Sequence, residues 1–168
     1  MKKILYFLIL SAVVVTATSC GTKKTAVQLA EEKRILTEKI EAGLFTFTAD
    51  YVIPMGNFQP RYLTSSYDVK ITNDTVYSHL PYFGVAYEAP WNPSESPLVF
   101  NSMDFNYSVA NGNRPGNWIV NLRMNDRRRP IMYIFSIWEN GKADLTVWDS
   151  TRQTISFRGE IEMPNTAP

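Results

Sequence analysis

The 168-residue chain holds one cysteine and one histidine, so no disulfide can form within it. Seventeen Lys/Arg against sixteen Asp/Glu lack the basic excess of a nucleic-acid binder. No G-x-S-x-G elbow, phosphate loop or metal-spaced His/Cys cluster occurs, and no repeat or low-complexity segment interrupts the chain. The longest apolar run, residues 4–17, is shorter than the roughly 20 residues of a spanning helix. These absences argue against a nucleic-acid protein, a polytopic membrane protein and the common hydrolase and phosphoryl-transfer sites. No cofactor or metal is expected.

What is present begins with Lys2 and Lys3, the apolar run, then Thr18, Ser19 and the lone Cys20. This is the pattern of a secretory signal closing on a lipobox cysteine, whose thiol is acylated (palmitate among its chains). Ala17 stands three before the cysteine, where Leu is commonest, and the alternative is an ordinary cleaved signal. Removing Lys2 and Lys3 with the signal turns a net charge of +1 into −1. An exported domain without disulfides is held by its core, and nine Phe, nine Tyr and four Trp supply the apolar area.

Residues 20–25 read as a lipidated tether and 26–43 as a helix. Leu29, Leu36 and Ile40 make one apolar stripe, Thr25 is placed to cap the start and Gly43 to end it. From residue 44 the periodicity becomes two, and 44–162 reads as one antiparallel β domain. Phe45, Phe47 and Ala49 alternate with polar residues, and 52–61, with two prolines and a glycine, reads as loop. Around the Asn73-Asp74 turn, Ile71 should oppose Val76, Val69 Ser78 and Asp68 His79. The stretch 98–110 reads as a single strand, followed by 117–124, 131–139, 142–150 and 154–162. Residues 163–168 are a flexible tail. At Asn140-Gly141 only a three-residue bulged turn sets Tyr133, Phe135 and Ile137 beside Val147, Leu145 and Ala143, making one face uniformly apolar. The expected fold is mainly β: about eight antiparallel strands in a barrel-like or sandwich domain with one N-terminal helix.

Leu80-Pro81-Tyr82-Phe83-Gly84, the strand of Phe100, Trp118, Asn140-Gly141 and residues 152–159 resemble the DUF4251 family, over roughly residues 40–161. The resemblance implies an exported protein of a family found largely in Bacteroidetes, and no stated activity. It places the chain in a Gram-negative envelope. Gly21-Thr22-Lys23-Lys24 lacks acidic residues after the cysteine, which favours an outer-membrane anchor facing the periplasm.

Four features can carry function. Tyr82, Phe83, Tyr87 and Trp91, among prolines and glycine, form a candidate loop for a hydrophobic or glycan ligand or for an envelope partner protein; the alternative is a loop folded back as a plug. His79 beside Asp68 could orient a base but reads as an exposed polar pair. Arg127-Arg128-Arg129, with Arg123 nearby, is a basic hairpin tip. Asp74-Thr75-Val76 and Asp149-Ser150-Thr151 fit a short O-glycosylation pattern. The carboxylates Asp50, Asp68, Glu88, Asp104, Asp126 and Asp144 are scattered, and a facing acid pair for a hydrolase is not visible in the sequence. The reading is a non-enzymatic envelope lipoprotein held to the membrane by Cys20, with a binding or accessory interaction role.

Overall fold

The computed structural model describes residues 25–88 and 96–162. The expected signal, Cys20 and the rest of the expected tether before Thr25, Trp91 and the expected tail lie outside the described residues. The chain divides into two compact units, Met1–Glu31 and Glu32–Pro168.

Helix α1 spans Ala26–Ala42. In the first unit Thr25 and Gln28 form a reciprocal capping box. The Gln28 N–H donates to Thr25 Oγ1 at 3.3 Å and the Thr25 N–H to Gln28 Oε1 at 2.9 Å. In the second unit the helix ends at Gly43, whose φ of +67° lets Leu44 N–H reach the Lys39 carbonyl at 2.9 Å. Leu36 and Ile40 are fully buried, whereas Leu29 is exposed, so the buried stripe is confined to the last two turns.

Nine strands follow: β1 Phe45–Pro54, β2 Arg61–Ile71, β3 Val76–His79, β4 Val99–Ser102, β5 Phe105–Asn111, β6 Asn117–Met124, β7 Ile131–Trp138, β8 Lys142–Asp149 and β9 Ile155–Ile161. All pairs are antiparallel, in the order β4-β3-β2-β1-β9-β8-β7-β6-β5. The first strand therefore pairs with the last. The two edge strands, β4 and β5, are joined by Met103 and Asp104 alone, so the sheet curls into a nearly closed barrel. Ser78 Oγ meets the Tyr133 hydroxyl at 2.7 Å across the interior, and the rings of Phe100 and Tyr133 are 6.2 Å apart. At the β4–β5 corner Asp126 accepts bonds from Ser102 Oγ at 2.7 Å and the Met103 N–H at 2.9 Å.

Both hairpin registers follow the sequence pattern. Ile71 faces Val76 and Asp68 faces His79, and Tyr133, Phe135 and Ile137 face Val147, Leu145 and Ala143. Gly141 has φ +81°, as the bulged turn requires. Two expectations change. The run 98–110 is two strands, because the chain turns a corner at residues 103–104 where the barrel nearly closes; this makes nine strands rather than about eight. Residues 52–54 belong to β1 and Arg61 to β2 rather than to a loop, since Pro54 occupies the last position of β1, where its missing N–H is tolerated.

The interior is filled. Phe135 packs edge-on against Phe45 at 5.7 Å and Phe47 at 5.6 Å, with Tyr133, Leu145 and Phe157 fully buried around it. Each such side chain contributes about 1.5–3 kcal/mol of burial.

Candidate functional site

The 80–88 segment is docked along the β8–β9 turn. Leu80 is fully buried and Pro81 buried, and Tyr82 is half-buried with its hydroxyl 3.0 Å from the Gln153 carbonyl. Gln153 also receives the Val85 N–H on its side-chain oxygen at 3.1 Å, and donates its own N–H to the Val85 carbonyl at 3.0 Å. Phe83 is covered by the Arg61 guanidinium, 4.0 Å above its ring. Tyr82 and Phe83 thus spend their faces on the protein itself, and Tyr87 is 65% exposed. Burial raises the Tyr82 pKa against the opposing pull of Arg152.

The other sequence candidates are separated. His79 is exposed and lies in register with Asp68, but its ring neighbour is Tyr67, 5.4 Å away, and no hydrogen bond joins the pair. Two of the hairpin-tip arginines are engaged: Arg127 stacks 4.3 Å over Phe100, and Arg129 pairs with Glu88 at 2.5 Å. Arg128 is exposed. Thr75 is buried, which closes the first glycosylation pattern to an enzyme, while Ser150 is exposed.

A cleft of about 410 Å³ forms where the regularity of β1 fails. Ala49 pairs with Gly159 and Tyr51 with Arg158, so Asp50 is an extra residue in a β-bulge. The bulge resets the alternation: Phe45, Phe47 and Ala49 face inward, then Val52 does, leaving Asp50 and Tyr51 together outside the core. Tyr51 meets its cross-strand partner Tyr62 edge-on at 4.8 Å, and Tyr62 is 79% exposed. Trp138, Lys142, Asp144 and Arg158 complete the lining from β7, β8 and β9. Arg158 Nε lies 3.4 Å from Asp144, and Lys142 pairs with Glu160 at 2.8 Å. The Glu160 carboxylate, by hydrogen bond and charge, holds the Lys142 ammonium above its usual range. Aromatic plates flanked by donors and acceptors suit a ligand with both apolar C–H faces and hydroxyl groups.

None of Tyr51, Tyr62, Trp138 or Arg158 stands out in the sequence. The available signal is Asp50-Tyr51, two non-core residues in succession inside an alternating strand, the mark of a bulge. Among the described residues no group of three His, Cys, Asp or Glu is placed to hold a metal.

No curated protein matches the chain. It is similar in structure to a DUF4251 family protein from Bacteroides eggerthii DSM 20697 seen in a crystal structure. The TM-score is 0.56 at 14% identity, covering 83% of this chain and 95% of that one. The model of the family described as a domain of unknown function (DUF4251) matches residues 28–161, and the chain belongs to that family.

Proposed function

We propose that this is an envelope lipoprotein, anchored through Cys20 to the outer membrane and facing the periplasm, whose β domain binds a saccharide without cleaving it. The observation that carries the binding role is the bulge cleft. It sets Tyr51, Tyr62 and Trp138 beside the Arg158–Asp144 pair on the outside of a barrel whose interior is filled. Sugar rings stack on such plates while their hydroxyls bond to the flanking charges. Asp144 is exposed and paired with Arg158, which suits hydrogen bonding to a sugar hydroxyl. The anchor rests on the signal and lipobox pattern of residues 1–20.

A glycan array probed with the full chain, followed by calorimetry on any hit, tests the reading. Tyr62→Ala should weaken binding about tenfold with an unchanged melting temperature. An array without hits, or hits indifferent to Tyr62 and Trp138, would overturn it.

A second reading, an accessory module that docks a protein partner, is favoured by one outer-face row. Arg123, Met132 and Trp148 stand side by side across β6, β7 and β8 and, with Pro130, line a trough of about 480 Å³. Trp148 is 48% exposed there.

A further inference from the structure

A second cleft, of about 440 Å³, lies between the β6–β7 tip and the β8–β9 turn and, among the described residues, is lined by four arginines and three carboxylates. Their hydrogen bonds are unequally used. Asp149 is buried, and its oxygens accept from Arg152 Nε at 2.7 Å and from the Thr151 N–H and hydroxyl at 2.8 Å each. Asp126 accepts from Ser102 and Met103. Burial pushes its pKa up, but those bonds, one from the Asp104 backbone and the charge of Arg127 outweigh this and hold it below the usual range. Glu88 is taken by Arg129. Each acid in the cleft is therefore already bonded.

Three guanidinium groups keep terminal N–H groups with no partner among the described residues. Arg152 is 16% exposed and held by its Nε bonds beside the Tyr82 ring, which leaves both terminal nitrogens without a partner among the described residues. Arg127 lies over the Phe100 ring and makes no hydrogen bond or ion pair among the described residues. Arg128 makes no bond or ion pair among the described residues. Two arginines held by ring contacts, Arg152 also through Nε, line one cleft and are pre-organised for an oxyanion. A tetrahedral phosphate offers enough acceptors for three such groups, whereas a carboxylate has only two oxygens.

We propose that this cleft binds a phosphate group through the terminal N–H groups of Arg127, Arg128 and Arg152. The same chemistry could be presented by a soluble phosphate or by a phospholipid headgroup. The site is separate from the bulge cleft and does not depend on saccharide binding there.

The test is calorimetry on the full chain in a mild non-ionic detergent, with inorganic phosphate in one arm and monomeric dihexanoyl phosphatidic acid in the other. Binding in both arms, or in one, supports the site and identifies the source. Arg128→Glu should weaken binding about tenfold or more, and Arg152→Lys, which keeps the charge but loses the fork, should weaken it as well. Arg114→Glu makes the same change in net charge at another exposed position and should leave binding intact. No binding below millimolar concentration in either arm would overturn the proposal. So would an Arg114→Glu loss equal to that of Arg128→Glu. Arg128 carries the test on its own if the Arg152 variant fails to fold.

Discussion

A Cβ placed on Gly159 would sit 1.9 Å from the carbonyl oxygen of Thr48 and 3.0 Å from Ala49 Cα. Both obstacles are backbone, in the strand paired with β9, beside the bulge at Asp50. The seam where the first and last strands meet therefore admits no side chain at this position. Gly159→Ala should force β1 and β9 apart and cost about 3 kcal/mol. The melting temperature should fall by roughly 6–12 °C. A thermal melt within a degree of the parent would contradict this packing.

Gly141 is required for a different reason. Its φ of +81° is the left-handed conformation that closes the three-residue β7–β8 turn, with its N–H on the Trp138 carbonyl at 2.8 Å. Gly141→Val should cost on the order of 1–2 kcal/mol through backbone strain. Gly141→Asn should recover much of that, because Asn tolerates this region. Equal melting temperatures for the two variants would show that conformation is not what selects glycine here.

The contrast between these two glycines separates what the sequence disclosed from what it did not. Gly141 was legible, because alternating Tyr133, Phe135 and Ile137 and Ala143, Leu145 and Val147 agree on one face in only one register. The Ile71–Val76 hairpin was legible for the same local reason. The barrel seam was not: pairing of β1 with β9 joins residues more than a hundred positions apart, and no local pattern records it. The bulge cleft inherits that difficulty, since Tyr51 and Tyr62 meet Trp138, Asp144 and Arg158 only once the seam closes. The corner at 103–104 was hidden because Met103 and Asp104 are neither glycine nor proline. The aromatic 80–87 segment was easy to find and hard to interpret, because plug and binding loop share one composition.

Ser78 and Tyr133 form a buried hydroxyl pair. Ser78 Oγ donates to the Leu98 carbonyl at 2.7 Å, so the Tyr133 hydroxyl must donate to Ser78. Ser78→Ala leaves a buried phenol without an acceptor and should cost about 1–3 kcal/mol, more than Tyr133→Phe. Burial raises the Tyr133 pKa strongly, against the weaker effects of the Ser78 bond and Arg127. The unfolded chain releases this proton near pH 10 and the folded one does not. The stabilisation is thus complete below about pH 10 and is lost as pH rises, by up to about 1.4 kcal/mol per pH unit. Denaturant midpoints between pH 9 and 11 should fall less steeply for Tyr133→Phe than for the parent. Parallel slopes would mean that this phenol is not the group responsible.

Cys20 offers the direct test of anchoring. An acyl chain contributes about 0.8 kcal/mol for each buried CH₂, and two or more chains make the anchoring stable. The apolar run at 4–17 is too short to span by itself. The described residues begin after the cysteine, at Thr25, and the first of them in the buried core is Leu36. Cys20→Ala should therefore leave the melting temperature unchanged, abolish labelling by an alkyne analogue of palmitate, and release the protein from membranes into a carbonate wash. Retained label would place the acyl group elsewhere. A variant without label that stays in the membrane pellet would mean that something other than the thiol holds the protein there.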